Sequence, residues 1–199
     1  MDNPRDQPRR LVLASGSRYR KELLARLGLS FEVAVPNVDE TPRAGEAPPD
    51  TALRLSLLKA SALQNSHGGA LIVGSDQVAE SGGRIYGKPG NYENAVRQLR
   101  QLSGKAVDFH TAVTVLDAAS GKHESRLVPC RVVFRPLDDR LIQTYLEKEK
   151  PYDCAGAARA EGLGIALLQR IQTDDPSALI GLPLIALTGM LERAGLPVL

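Results

Sequence analysis

Leu11-Val12-Leu13-Ala14-Ser15-Gly16-Ser17-Arg18-Tyr19-Arg20-Lys21-Glu22-Leu23-Leu24-Ala25-Arg26-Leu27-Gly28 decides the fold class. Four apolar residues in a row read as a buried strand; Leu23, Leu24 and Leu27 then recur on one face of a helix, which Gly28 closes. A strand, a short Ser-Gly-Ser turn and a helix open an α/β unit. The same alternation continues downstream. Residues 31–35 alternate as a strand, residues 36–50 form a loop rich in Pro, Glu and Asp, and residues 51–64 repeat Leu53, Leu57, Leu58 and Leu63 at helical spacing. Leu71-Ile72-Val73-Gly74 is a second buried strand, and Ser81-Gly82-Gly83 turns a hairpin. Asn91 caps a helix ending near Leu102, and two long β patterns, 105–116 and 127–135, join across Ser120-Gly121. Asp138 caps a helix through Tyr145, residues 165–171 form a strand, and Pro176 and Pro183 begin helices. The pattern predicts an α/β fold with a mixed twisted sheet and flanking helices. It also predicts a frayed lead-in over residues 1–9 and one domain over 10–199.

Composition removes several classes of function. With 43 % hydrophobic and 24 % charged residues, the 199-residue chain is neither collagen-like nor low-complexity. A chain of this size buries roughly 70 % of its unfolded surface, enough for a core without disulfides or a structural metal. Lys+Arg 25 against Asp+Glu 23 leaves a net charge of +2, without the basic excess of a nucleic-acid coat. No Trp and three Phe leave few stacking platforms for single strands. No apolar run approaches the roughly 18 residues of a membrane span, because residues 179–191 are broken by Gly181, Pro183 and Gly189. The first ten residues lack the apolar segment of a secretory signal. Cys130, Cys154, His67 and His123 show no metal spacing, so both cysteines are expected reduced, in a cytoplasmic protein.

The chemistry concentrates at strand ends. Arg18, Arg20 and Lys21 crowd the first turn of the first helix, where free backbone N–H groups and the helix dipole disfavour cations. A phosphate seated there would offset them, with Ser15 and Ser17 as ligands and Gly16 allowing close approach; the other reading is a solvated helix end with a serine cap. The turn is neither a Walker loop nor the dinucleotide glycine fingerprint. Asp76 follows the strand ending at Gly74, at the carboxyl edge where α/β sheets bind ligands, unless it is simply a turn residue. Lys59 lies on the helix after the acidic loop of Asp39 and Glu40; such a lysine ordinarily snorkels at the surface. With Lys88 and Pro89 after the hairpin, the inventory is carboxylates for a hard divalent cation, a candidate base, and cations for phosphate oxygens.

Taken together, 13–24, Val38-Asp39-Glu40-Thr41, Leu58-Lys59-Ala60, Gly74-Ser75-Asp76-Gln77-Val78, Gly87-Lys88-Pro89, Leu102-Ser103-Gly104 and Ala155-Gly156 with Glu161-Gly162 resemble the Maf family of nucleotide pyrophosphatases, in order and spacing, from about residue 10 onward. The resemblance implies an elongated, two-lobed fold of the Maf and ITP-pyrophosphatase type with a central cleft. It further implies hydrolysis of a nucleoside triphosphate between the α and β phosphates, a divalent metal, Mg2+ or Mn2+, and a cytoplasmic location. By position, Asp76 resembles the proton acceptor, Ser15, Arg20, Lys59 and Lys88 the phosphate ligands, and Glu40 the acid of the metal site, with Asp76 either base or second metal ligand. Tyr19, Gln77 and Glu161 stand at the positions of base choice and resemble the 7-methyl-GTP branch. The dTTP/UTP branch carries a histidine where Val107 stands, and His110 reads as structural. A cationic 7-methylguanine could stack on Tyr19 and give its N1–H and 2-amino hydrogens to Glu161. Departures from the pattern are Arg18 for a proline, Lys21 for an arginine, and Ala158-Arg159-Ala160 for an aromatic-Lys-Ser triplet. The alternatives are a dTTP/UTP pyrophosphatase and a non-catalytic nucleotide-binding regulator of septum formation. Expected partners are a nucleotide substrate, no nucleic acid and no membrane, with the Leu-rich C-terminal helix serving as core or as a homodimer face.

Overall fold

The computed structural model describes residues 8–199. Its first strand, β1 (Leu11–Ala14), is buried along its whole length and lies parallel to both β2 (Glu32–Ala34) and β3 (Leu71–Ser81). A strand covered on both faces needs apolar residues at every position, which is why Leu11 to Ala14 and Leu71 to Val73 read as continuous runs. Successive side chains then point to opposite faces. Leu11, Leu13, Leu71 and Val73 meet Leu23 and Leu24 of α1 (Arg18–Ala25) and Leu187, Met190 and Leu191 of α5 (Leu184–Arg193). Val12, Ala14 and Ile72 meet Ala60 of α2 (Pro48–Ser61). The C-terminal helix is therefore core, as one of the two sequence readings has it.

The remaining elements are β4 (Arg84–Tyr86), α3 (Tyr92–Leu102), β5 (Ala106–Asp117), β6 (His123–Phe134), α4 (Asp139–Glu149) and β7 (Leu168–Gln172). The strands follow the order β2-β1-β3-β5-β6-β7, with β4 antiparallel to β3 and β7 antiparallel to β6. The expected mixed α/β sheet is present. Its residues fall into two compact units: Met1–Gln77, Thr111–Val128 and Asp175–Leu199 form one, and Val78–His110 and Pro129–Asp174 the other.

Three local readings change. Residues 163–167 form a 3-10 turn, so β7 begins at Leu168 and not near 165. The backbone there is packed too tightly for a strand: a Cβ on Gly164 would lie 2.4 Å from the Arg159 carbonyl oxygen. Pro176 opens a 3-10 turn, and Pro183 is the N-cap of α5 instead of its first residue. Asp175, 3 % exposed, replaces the missing cap: Oδ2 accepts from the N–H groups of Ile185 (2.7 Å) and Ala186 (3.4 Å), and Oδ1 from the Ser177 N–H (3.1 Å). Finally, α2 starts at Pro48 inside the predicted loop, with prolines in its first turn.

The predicted lead-in lies, for residues 1–7, outside the described residues. Arg9, its last member, donates to Asp117 Oδ1 (2.7 Å) and to the Ala194 carbonyl (3.2 Å). The Arg9 hydrogen bond holds the Asp117 carboxyl well below the usual carboxylate range, at about 2. Because this folded-state pKa is depressed, its stabilisation is complete above the unfolded value and is lost as pH falls from about 4 toward 2. Thermal melts of the native chain and Asp117→Asn should therefore differ at pH 6 and converge near pH 2; a gap that persists in acid would contradict the pairing.

Candidate active site

The site of the first unit is built where two parallel strands leave the core. β1 ends at Ala14, in register with Gly74 of β3, so Ser15 and Ser75-Asp76-Gln77 emerge side by side. Asp76 is not after a strand, as the apolar run alone suggests, because β3 continues to Ser81. It lies just past the point where its neighbour β1 stops, which leaves that stretch of β3 without its parallel partner and gives Asp76 the place expected of a strand end.

Gly74 brings the next residue in. A Cβ there would lie 2.1 Å from the Ser56 carbonyl oxygen and 2.9 Å from Ala60 N, so α2 sits directly on the strand backbone. One face of α2 is then buried: Ala52, Leu55, Ser56, Lys59 and Ala60. Lys59 is 5 % exposed and does not snorkel. Its Nζ donates to Asp76 Oδ1 at 2.6 Å and pairs with Glu40 Oε2 at 2.8 Å. Asp76 is 6 % exposed, and its Oδ2 has no hydrogen bond among the described residues. The Ser56 hydroxyl joins Thr114 Oγ1 (2.8 Å), and Thr114 joins Ser125 Oγ (2.7 Å), so the polar atoms beneath Lys59 are satisfied.

Glu40 comes from the acidic loop, which is tied to α2. Both oxygens of Glu46 take Arg54 (2.5 and 2.7 Å), and Oε2 also accepts from the Arg43 N–H (3.1 Å) and the Thr51 hydroxyl (2.9 Å). Arg54 holds the Glu46 carboxyl at about 2. The Thr41 N–H donates to Asp39 Oδ1 at 2.9 Å, and hydrogen bonding from Thr41, its side chain first and this N–H second, lowers the Asp39 pKa.

The crowded first turn of α1 resolves residue by residue. Ser17 is the N-cap, accepting from Arg20 N. Ser15 Oγ accepts from the Ser17 N–H at 3.1 Å and from Arg20 Nη1 at 3.5 Å. Arg20 Nε donates to the Gly181 carbonyl at 2.8 Å, which leaves Nη2 without a hydrogen bond among the described residues. Burial lowers the Arg20 pKa, and Asp76 and Glu40 act in the opposite direction. Arg20 therefore belongs to the same electrostatic cluster. Arg18 lies 4.7 Å over the Tyr19 ring centroid and donates to its hydroxyl at 2.6 Å. Tyr19 is 8 % exposed, and one face of its ring already carries a cation.

Gln77 is turned inward. Its Nε2 donates to Thr111 Oγ1 (2.9 Å) and to the carbonyls of Ala178 (2.9 Å) and Leu179 (3.1 Å), bracing the turn that ends at Gly181. Ser75 Oγ reaches the Ala112 and Gly181 carbonyls at 2.8 and 2.9 Å. In the first unit the structure thus brings together Ser15, Arg20, Glu40, Lys59 and Asp76. Sequence reasoning missed Gly74, Ser75 and Asp175 as the residues that place them, although Asp175-Pro176 is an N-cap signature.

In the second unit, Lys88 is exposed on the turn after β4. That turn is fixed by bonds from Gln98 Nε2 and Gly156 N to the Gly87 carbonyl and from Gly90 N to the Tyr152 carbonyl. Glu161 stands on a loop after α4, with Oε1 3.4 Å from Arg159 Nε. Neither Cys130 nor Cys154 is in a disulfide; Cys130 is buried, and burial pushes its thiol up to about 11.

Among the described residues, no three His, Cys, Asp or Glu side chains converge as a metal cage. Glu40 and Asp76 converge on one cation, the Lys59 ammonium. Two carboxylates with a free oxygen on Asp76 suit a hard ion that is held by one or two carboxylates and completed by water and phosphate; they do not suit a soft or fully caged metal. No described helix is long and apolar enough to cross a membrane.

A family model described as Maf-like protein matches residues 10–194. A protein of Thiobacillus denitrificans named 7-methyl-GTP pyrophosphatase is 57 % identical over 189 residues, covering 95 % of this chain and 94 % of its own. Proteins of the same name from Cupriavidus pinatubonensis and Bordetella avium are 56 % and 55 % identical, each pair aligned over 94 % of both chains.

Proposed function

The chain belongs to the Maf-like family, and from that footing we propose that it hydrolyses 7-methyl-GTP to 7-methyl-GMP and diphosphate. The observation that supports this reading best is the buried Lys59–Asp76 pair, with Glu40 and Arg20 in the same cluster and Ser15 beside Arg20. A triphosphate repels an attacking water, so the site must present fixed positive charge and a base together. Arg20 Nη2 and the Ser15 hydroxyl would take phosphate oxygens in the first unit. Lys88 is the proposed phosphate ligand of the second. Lys59, held by two carboxylates, would turn an ammonium hydrogen toward a phosphoryl oxygen. With Oδ1 fixed by Lys59, Asp76 Oδ2 is left to orient the water and accept its proton. Glu40 and Asp76 would hold a divalent ion, Mg2+ or Mn2+, which supplies charge neutralisation at the phosphates when bound.

For the base, Glu161 would accept the N1–H and 2-amino hydrogens of the guanine edge, and its charge suits a cationic purine. The Arg18–Tyr19 stack supports Tyr19 as a cation-binding ring. Gln77 contributes from behind, through the carbonyls that it braces. The relatives' shared name favours 7-methyl-GTP over dTTP or UTP. Steady-state kcat/KM for 7-methyl-GTP, GTP, dTTP and UTP tests the choice: 7-methyl-GTP should be best, and a better pyrimidine substrate would overturn it. Glu161→Gln should lower the ratio of 7-methyl-GTP to UTP by about tenfold or more, because a donor then faces donors. An unchanged ratio would remove Glu161 from base reading.

A further inference from the structure

Glu149 is the last residue of α4, the wrong end of a helix for a carboxylate, because the unpaired carbonyls there already carry partial negative charge. Its side chain is nonetheless only 8 % exposed. Lys150, which follows, takes a left-handed φ of 50° to end the helix. Two donors compensate Glu149, and both come from the loop that carries Glu161. Arg159 Nη1 donates to Oε1 at 2.8 Å, and the Leu163 N–H donates to Oε2 at 2.6 Å. The contact extends to the backbone: a Cβ on Gly162 would lie 2.7 Å from either Glu149 oxygen. One turn earlier on α4, the Tyr145 hydroxyl accepts from Arg159 N at 3.0 Å.

These contacts put the Arg159 guanidinium between two carboxylates: Glu149 at 2.8 Å and Glu161 at 3.4 Å. The shorter, more buried bond is the stronger one. A guanidinium given wholly to Glu161 would neutralise it and occupy its oxygens. We propose that Glu149 is a positioning residue for base selection: by taking the shorter bond from Arg159 it limits that guanidinium to one long contact with Glu161 Oε1 and leaves Glu161 Oε2 open to the donor edge of a cationic purine. This inference rests on the reading of Glu161 given above. Arg159 stands in one of the positions where the chain departs from the family's usual triplet, so the device belongs to this chain's own residues.

The test is the kcat/KM ratio of 7-methyl-GTP to UTP in four variants. Glu149→Gln keeps an acceptor for the Leu163 N–H but loses the charge that binds Arg159; the ratio should fall about tenfold, with kcat on UTP unchanged within about twofold. Glu149→Gln with Arg159→Met removes the released guanidinium as well, and the ratio should return to within about threefold of the native chain. Arg159→Met alone should keep or raise the ratio, and it gives a reading even if Glu149→Gln folds poorly. An unchanged ratio in Glu149→Gln, no recovery in the double variant, or a lost ratio in Arg159→Met would each overturn the proposal. Glu161→Gln separates the two levels: an unchanged ratio there means that the base reading itself has failed.

Discussion

Asp76→Asn should lower kcat by about 10²–10⁴-fold, the range of a lost general base, while triphosphate affinity stays within a few-fold of the native value. The side chain is buried, one oxygen is fixed by Lys59 at 2.6 Å, and the other is free, so the substitution removes the proton acceptor and one of the two carboxylates assigned to the divalent ion. An asparagine oxygen can still accept from Lys59, so the pair keeps its shape. Loss of one negative charge beside Lys59 and Arg20 leaves the cluster more attractive to phosphate, which is why binding should survive. Single-turnover rates with circular dichroism on the same samples decide this. Retention of more than about a tenth of the native rate, a barrier change below ~1.4 kcal/mol, would exclude Asp76 as the essential group.

Gly74→Ala should fail in a different way. The new methyl would lie 2.1 Å from the Ser56 carbonyl oxygen, a backbone atom that cannot rotate aside, so α2 must move off β3. Overpacking of this kind costs about 1–3 kcal/mol or more. For a chain of this length that is roughly 2–12 °C in Tm, at about 2–4 °C per kcal/mol. Because Ser56 and Ala60 flank Lys59, the movement also separates Lys59 from Asp76, and kcat should fall at temperatures where the variant remains folded. Gly16→Ala is the contrast. Its added carbon meets only Val35, at 3.5 Å, so stability should hold while kcat/KM for triphosphates drops through lost phosphate approach. Equal melting losses in both variants would contradict the assignment of Gly74 to packing and Gly16 to the ligand.

How far the sequence speaks can be judged at these same residues. The strand, turn and helix from Leu11 to Leu24 were legible because hydrophobic period changes abruptly at Ser15-Gly16-Ser17. Asp76 was legible as the first carboxylate beyond an apolar run, even though the strand runs on to Ser81, because what matters is where the neighbouring strand stops. Lys59 was legible only as a cation of the right chemistry. Its burial depends on Gly74 of a distant strand, and no helical periodicity announces that a lysine will share a face with Ala52, Leu55 and Ser56. Gln77 illustrates the converse: its position drew attention to base choice, while its amide nitrogen is engaged with the turn over residues 178–179. Residues 165–167 failed because a short apolar run does not distinguish a strand from a 3-10 turn that is held by close backbone packing at Gly164. No linker marks the two units, since β3, β5 and β6 each contribute residues to both, so only the family resemblance, and no shift in composition or periodicity, pointed to two lobes.

The central claim concerns which anhydride bond breaks. Purified protein with Mg2+ and 7-methyl-GTP, its products separated and counted, should give one 7-methyl-GMP and one diphosphate per nucleotide consumed, with no orthophosphate before a diphosphatase is added. Release of 7-methyl-GDP with orthophosphate, or no turnover of any triphosphate at a metal concentration that supports binding, would contradict the account.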